Sequence, residues 1–147
     1  MTSANAAPEN VRGPVRRIFP KSAKLLKHSD FQRVYKTGKR HFAGVMTAFY
    51  LPRQADDAIG PRVGITVSRA LGGAVERNRI KRRMREAIRF HLAELSAPVD
   101  VVFNPKKAVL TAEFSLIEQE VTRALDVVQK GAERMARKQQ SGEEKEK

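Results

Sequence analysis

Apolar residues follow two rhythms along this chain, and the change of rhythm divides it into elements. Ile80, Met84, Ile88 and Leu95 fall at i, i+4, i+8 and i+15, with Ala87 and His91 filling in. At ~100° per residue these positions make one stripe, so VERNRIKRRMREAIRFH (75–91) is predicted as an amphipathic helix docked by it. The same period returns in Phe114, Ile117, Val121, Leu125 and Val128, a last helix that Thr111 can cap. Strand rhythm appears in RVGITVS, where Val63, Ile65 and Val67 share one face. HFAGVMTAFYLPR (41–53) is rich in β-branched and aromatic residues and is closed by Pro52. VDVVF (99–103) reads as a short buried strand, ended by Asn104-Pro105.

Turn chemistry supplies the remaining boundaries. HSDFQRVYKTG reads as a short helix: Ser29 caps it, Gln32 completes a capping box, and Gly38 stops it. QADDAIGP is a turn-rich connection, and LGG (71–73) is a flexible lead into the helix at 75–91. The order is helix, two or three strands, helix, strand, helix, which predicts an α+β sandwich with helices packed on a small sheet. Residues 1–20 carry Pro8, Pro14 and Pro20 without periodicity and are expected as a disordered basic extension. The folded unit is expected over 21–137, with 138–147 as a disordered charged tail.

Charge changes the picture from fold to partner. The 147 residues, enough for one domain with a modest core, carry a net charge of +13 from 29 Lys/Arg and 16 Asp/Glu. Residues 1–40 hold ten Lys/Arg against Glu9 and Asp30, and residues 76–89 hold seven against Glu76 and Glu86. These regions net +8 and +5, so everything else nets to zero. Charge this concentrated suits a surface for a polyanion such as nucleic acid or an acidic membrane. Cysteine is absent, which excludes disulfides and thiolate metal sites, and His28, His41 and His91 have no metal-ligand spacing. No apolar run approaches the ~20 residues that span a bilayer. The first twenty residues lack the apolar core of a secretory signal, so the expected location is cytoplasmic.

On the 75–91 helix, Asn78, Arg82, Arg85 and Arg89 follow at spacings of four, three and four, a row away from the apolar stripe. Like charges at i,i+4 cost a few tenths of a kcal/mol per pair, a cost that a phosphate backbone removes. The bland alternative is a solvated basic face. A helix-turn-helix reader fits poorly, because strands rather than a preceding helix flank the segment. A membrane-surface helix would want larger apolar residues than Ala87 and Met84. Phe31 and Tyr35 lie i,i+4 on the first helix and share a face. They either pack in the core or, if Leu25 and Val34 seal the core, line an open cleft where bases stack. Lys24, Lys27, Arg33, Lys36, Lys39 and Arg40 surround them. No carboxylate cluster or histidine pair suited to a protein nuclease is evident, and Asp56-Asp57 lies in the turn-rich connection.

VSRALGGAVERNRIKRRMREAIR resembles the signature of the bacterial ribonuclease P protein component. Val67-Ser68-Arg69, Gly72-Gly73, Arg77-Asn78-Arg79-Ile80-Lys81-Arg82 and Arg85-Glu86-Ala87 stand in the places of its strand end, glycine loop and basic helix. The likeness extends to LLKHSDFQRVYKTGKR, AFYLP, RVGITVS, VDVVF and the final helix, about residues 20–130. The resemblance implies a small two-layer α/β sandwich (ribosomal protein S5 domain 2-like) of order α-β-β-β-α-β-α with a left-handed βαβ crossover, contrary to the usual hand. It implies an accessory subunit, without a protein active site, of an endoribonuclease whose RNA removes the 5′ leader of precursor tRNA. The implied partners are ribonuclease P RNA and precursor tRNA, with Mg²⁺ bound mainly by the RNA and no small-molecule substrate. Arg77, Asn78, Arg79, Lys81, Arg82, Arg85 and Arg89 would contact the catalytic RNA. Phe31 and Tyr35 would line the leader cleft, with Ser68 and Arg69 beside it. Three departures stand out. Asn104 replaces a frequent basic residue, Arg83-Met84 replaces a more apolar pair and suggests extra exposed charge, and the N-terminal extension is long. The rival readings are a structural RNA-binding protein of ribosomal type and a DNA-binding regulator.

Overall fold

The computed structural model describes residues 24, 25, 27–53 and 60–146, with side chains described as far as Lys138. The expected N-terminal extension and most of the QADDAIGP connection lie outside the described residues. Chain order is α1 (His28–Thr37), β1 (Lys39–Phe42), β2 (Met46–Pro52), β3 (Arg62–Ile65), α2 (Ala74–His91), β4 (Val99–Pro105) and α3 (Phe114–Glu146). Short 3-10 turns at Arg69–Leu71, Leu92–Glu94 and Lys107–Leu110 precede α2, β4 and α3. This is the expected α-β-β-β-α-β-α order. The long HFAGVMTAFYLPR run folds as a hairpin, because Ala43-Gly44-Val45 divides it into β1 and β2, paired antiparallel from Lys39↔Tyr50 to Phe42↔Thr47.

The sheet order is β1-β2-β4-β3. β4 runs antiparallel to β2 and parallel to β3. A parallel pair needs a crossover, and α2 is that crossover. Side chains alternate across each strand. On one face Met46, Ala48, Tyr50, Val63, Val99, Val101 and Phe103 pack against Ile80, Met84, Ala87 and Ile88 of α2 and Ile117, Val121, Ala124, Leu125 and Val128 of α3. Both apolar stripes read from the sequence therefore meet in one core. Leu95 is buried too, but past the end of α2. His91 leaves the apolar stripe and bonds Glu94 and Glu118 instead.

To this two-layer body α1 adds cover on the opposite face. Leu25, Val34 and Val102 form a small second core there, with Phe31, Tyr35, Phe49 and Leu51 around it. Residues 24 and 25 lie along β3, where the Leu25 amide donates to the Val63 carbonyl at 3.0 Å. β4 is thus covered on both faces, which is why VDVVF reads as a continuous run. Asp100 is the polar exception and is fully buried. Arg62 holds it with two hydrogen bonds of 2.9 Å, and Arg53 lies 3.3 Å away. Arg62 also reaches Asp30 in the first turn of α1 at 3.6 Å, so one guanidinium ties the helix to the sheet.

Several local expectations are corrected. α1 starts at His28 after Lys27 with no side-chain cap, so Ser29 lies inside the first turn and the capping box does not form. Asp30 occupies the first turn instead, where a carboxylate complements the helix dipole. Gly38 does end α1, but for reasons of space: a Cβ there would lie 2.5 Å from the Val34 carbonyl oxygen and 2.6 Å from that of Tyr50. Thr111 closes the 3-10 turn at Lys107–Leu110 rather than capping α3. Met84 is fully buried, and the Arg83 guanidinium donates to the carbonyls of Val109 and Ala112. This pair therefore adds no exposed charge. The lead into α2 is a defined turn: Ser68 Oγ accepts from the Ala70 amide at 3.2 Å, and Gly72 takes a φ of 140°, which favours glycine. α3 continues to Glu146, through residues 138–146 expected as a tail.

Candidate nucleic-acid interface

The apolar stripe of α2 decides which of its charges point outward. With Ile80, Met84, Ala87 and Ile88 buried, the helix rotates Asn78, Arg79, Lys81, Arg82 and Arg85 to the surface. These five are exposed and make no hydrogen bond or ion pair with any described residue. The other two assigned positions are partly engaged. Arg77 Nε donates to the Gly72 carbonyl at 3.1 Å, and Arg89 donates to Glu86 at 2.8 Å and lies 5.6 Å from the Phe90 ring centroid. Arg83, which composition alone cannot separate from its neighbours, is a structural clamp.

The outward charges have two flanks. Arg79 faces the loop before α3, beside Arg83, Thr111 and Glu113. Lys81 and Arg85 face the other way, across the β3 edge, into a cavity of about 370 Å³. Lys24, Leu25, Phe31, Val63, Gly64 and Ile65 complete that cavity. The cationic helix and an aromatic of α1 therefore meet in one concavity around β3. Gly64 makes this possible: a Cβ there would lie 2.5 Å from Phe31 Cζ, so only glycine lets the ring settle on the strand.

Leu25 and Val34 seal the small core, and Phe31 and Tyr35 sit half-buried at its margins. Phe31 faces the β3 side and Tyr35 the centre of the sheet. Tyr35 packs edge-on against Phe49, with ring centroids 5.0 Å apart, and its hydroxyl donates to Asn104 Oδ1 at 2.9 Å. The pairings give three cross-strand rows on this face, and Leu51, Asp100 and Arg62 form one, which Asp30 of α1 meets through Arg62. Arg40, Phe49, Val102 and Gly64 form the next, which α1 covers from Phe49 to Gly64 while Arg40 at its end stays exposed. Phe42, Thr47 and Asn104 form the last, at whose margin Tyr35 stands. Ser68 and Arg69 are exposed in the turn after β3 and do not line the 370 Å³ cavity.

Sequence reasoning missed Gly64 and Phe49, whereas Lys24, expected beside the aromatics, does line the cavity. A glycine inside an otherwise β-branched strand was the available signal for Gly64. Phe49 needed the strand register. Among the described residues, no three His, Asp or Glu side chains stand together as a metal-ligand set, and no helix is long and apolar enough to cross a membrane.

Fold and surface together define a class: a small basic α+β domain that offers an unpaired cationic helix face next to an aromatic cleft. The ribonuclease P family model matches residues 19–129. The ribonuclease P protein component of Acidothermus cellulolyticus is 36% identical over 108 residues, covering 74% of this chain and 89% of that protein. That of Clostridioides difficile is 36% identical over 104 residues, covering 70% and 89%. The solved Staphylococcus aureus RNase P protein aligns with a TM-score of 0.62 at 28% identity, covering 74% of this chain and 99% of that one. The chain belongs to the ribonuclease P protein family.

Proposed function

We propose that this chain is the protein subunit of a ribonuclease P particle, with α2 on the catalytic RNA and the cleft beside α1 on the single-stranded 5′ leader of precursor tRNA. The observation that carries this reading is that Lys81 and Arg85 share one cavity with Phe31. A single RNA assembly can then be held on the helix while an unpaired strand runs past it onto aromatic side chains. In this reading the RNA holds the Mg²⁺ ions and cleaves the phosphodiester. The protein supplies cationic surface and positions the leader, in the cytoplasm, with no part in covalent chemistry.

The test is cleavage of precursor tRNA by a ribonuclease P RNA at low Mg²⁺, with and without the purified chain. Stimulation supports the reading, and binding without stimulation points to a structural RNA-binding protein of ribosomal type. Arg79→Ala and Arg82→Ala should each weaken RNA binding with the fold intact. Each should make the salt slope of binding shallower by ~0.7–0.9. Unchanged affinity and slope in both variants would remove α2 from the interface.

A further inference from the structure

The open row on the α1 side of the sheet has a directional feature. Phe42 ends it with a side chain that is 69% accessible, and the Arg40 guanidinium lies 5.6 Å from its ring centroid. Thr47 and Asn104 follow across β2 and β4, both half-buried. The Tyr35 hydroxyl donates to Asn104 Oδ1, which fixes the amide and turns its NH₂ end away from that bond. That nitrogen has no partner among the described residues. An aromatic ring and an oriented donor thus lie along one open strip, with an exposed guanidinium beside the ring. A hydrogen-bond donor on such a strip discriminates between base edges, whereas stacking alone does not.

We propose that Asn104 is a specificity-determining residue for the leader, its amide NH₂ donating to the edge of one leader base while Arg40 and Phe42 support the adjoining nucleotide. This rests on the leader-cleft reading above and extends it along the row from Tyr35 to Phe42. Because Oδ1 already accepts from Tyr35, the free end of the side chain is a donor. Facing the 4-position of a pyrimidine or the 6-position of a purine, it favours the keto oxygen of uracil or guanine over the amino group of cytosine or adenine. Arg40 adds attraction for the phosphate on either side. No bond is made or broken by these groups.

The experiment measures relative cleavage of precursor tRNAs that differ by one base at each leader position, using the particle assembled with the full chain. The wild-type particle should prefer uracil or guanine at one position by about three- to tenfold, the worth of one hydrogen bond. Asn104→Ala should flatten that preference while the particle still distinguishes substrates with a leader from those without. Asn104→Asp, an acceptor of similar shape, should move the preference toward cytosine or adenine. Tyr35→Phe removes the hydroxyl that orients the amide and should reduce the preference without reversing it. Phe42→Ala should lower affinity for all leaders that reach it, whatever their base. If the leader matters but Asn104→Ala and Asn104→Asp leave the base profile unchanged, the inference fails and the cleft reading survives. If a leader makes no difference to the wild-type particle, both fail.

Discussion

The two faces of the sheet are closed to different degrees. On one, two long helices cover the inward side chains of β2 and β4, and those side chains are apolar apart from the Tyr50 hydroxyl. On the other, a ten-residue helix meets two of three cross-strand rows and leaves the third open. Charge differs in the same sense. The α1 side ties its buried carboxylate Asp100 to Arg62 and Arg53, whereas the outer side of α2 leaves five polar side chains without a described partner. A small domain can afford an exposed, charge-rich surface because its other layer is fully packed. Packing and the proposed RNA contact thus fall to different residues, even along one helix.

Breaking the closed face should have the largest effect. Ile88 is fully buried between α2 and the sheet. Ile88→Asp should cost more than about 4 kcal/mol, through an unpaired buried carboxylate and lost packing, and leave the chain largely unfolded. A wild-type thermal melt for this variant would show that α2 is not docked by its stripe. Next comes the charge link of the α1 side. Asp100→Ala should cost about 3 kcal/mol, near the low end for breaking a buried pair, because Arg62 keeps Asp30. Denaturant unfolding measures it, and a loss below about 1 kcal/mol would reduce the link to a surface contact.

Phe31→Ala sharpens the comparison rather than breaking it. The ring is half-buried, so its truncation should cost less than the ~3–5 kcal/mol of a fully buried Phe. It should weaken binding of precursor tRNA by ~1–3 kcal/mol per stacked base, and leave binding of leaderless tRNA unchanged. A collapsed melting temperature with equal weakening for both RNAs would instead make Phe31 a core residue.

The smallest effect concerns the seam between α2 and α3. His91 lies 2.8 Å from Glu94 and 3.2 Å from Glu118. The bond to Glu94, assisted by Glu118 and opposed by partial burial, raises its pKa above the ordinary imidazole value. A raised folded-state pKa stabilises the fold fully below the unfolded value of about 6.5, provided both glutamates stay ionised above about 4.3. The contribution is lost as pH rises through the raised value. His91→Gln should therefore lower the melting temperature more at pH 5.5 than at pH 9, by an amount worth at most about 1 kcal/mol. An equal loss at both pH values would mean that packing, not charge, is what the imidazole contributes.

Much of this molecule was legible from its residues. The stripes of α2 and α3, the strands at Val63 and Val99, the element order and the outward face of α2 all follow from period and spacing. Periodicity is local, so it survives without knowledge of neighbours. The errors were also local in form but tertiary in cause. Ser29, Thr111 and Arg83 have only sequence context to speak for them locally, yet caps and clamps depend on which carbonyls other elements bring close. Arg83 illustrates the limit: beside six other cations it is one more charge, until Val109 and Ala112 present their oxygens to it.

The sequence by itself determined that a cationic amphipathic helix would be docked on a small sheet, because helical spacing separates charge from apolar side chains whatever they pack against. Only the tertiary structure decided where that helix ends its reach. It curls Lys81 and Arg85 around the β3 edge to meet Phe31, seats that ring on Gly64, and turns the Asn104 amide with a hydroxyl 69 residues away in sequence. Those pairings come from strand register and helix cover, contacts between distant segments that no local pattern encodes.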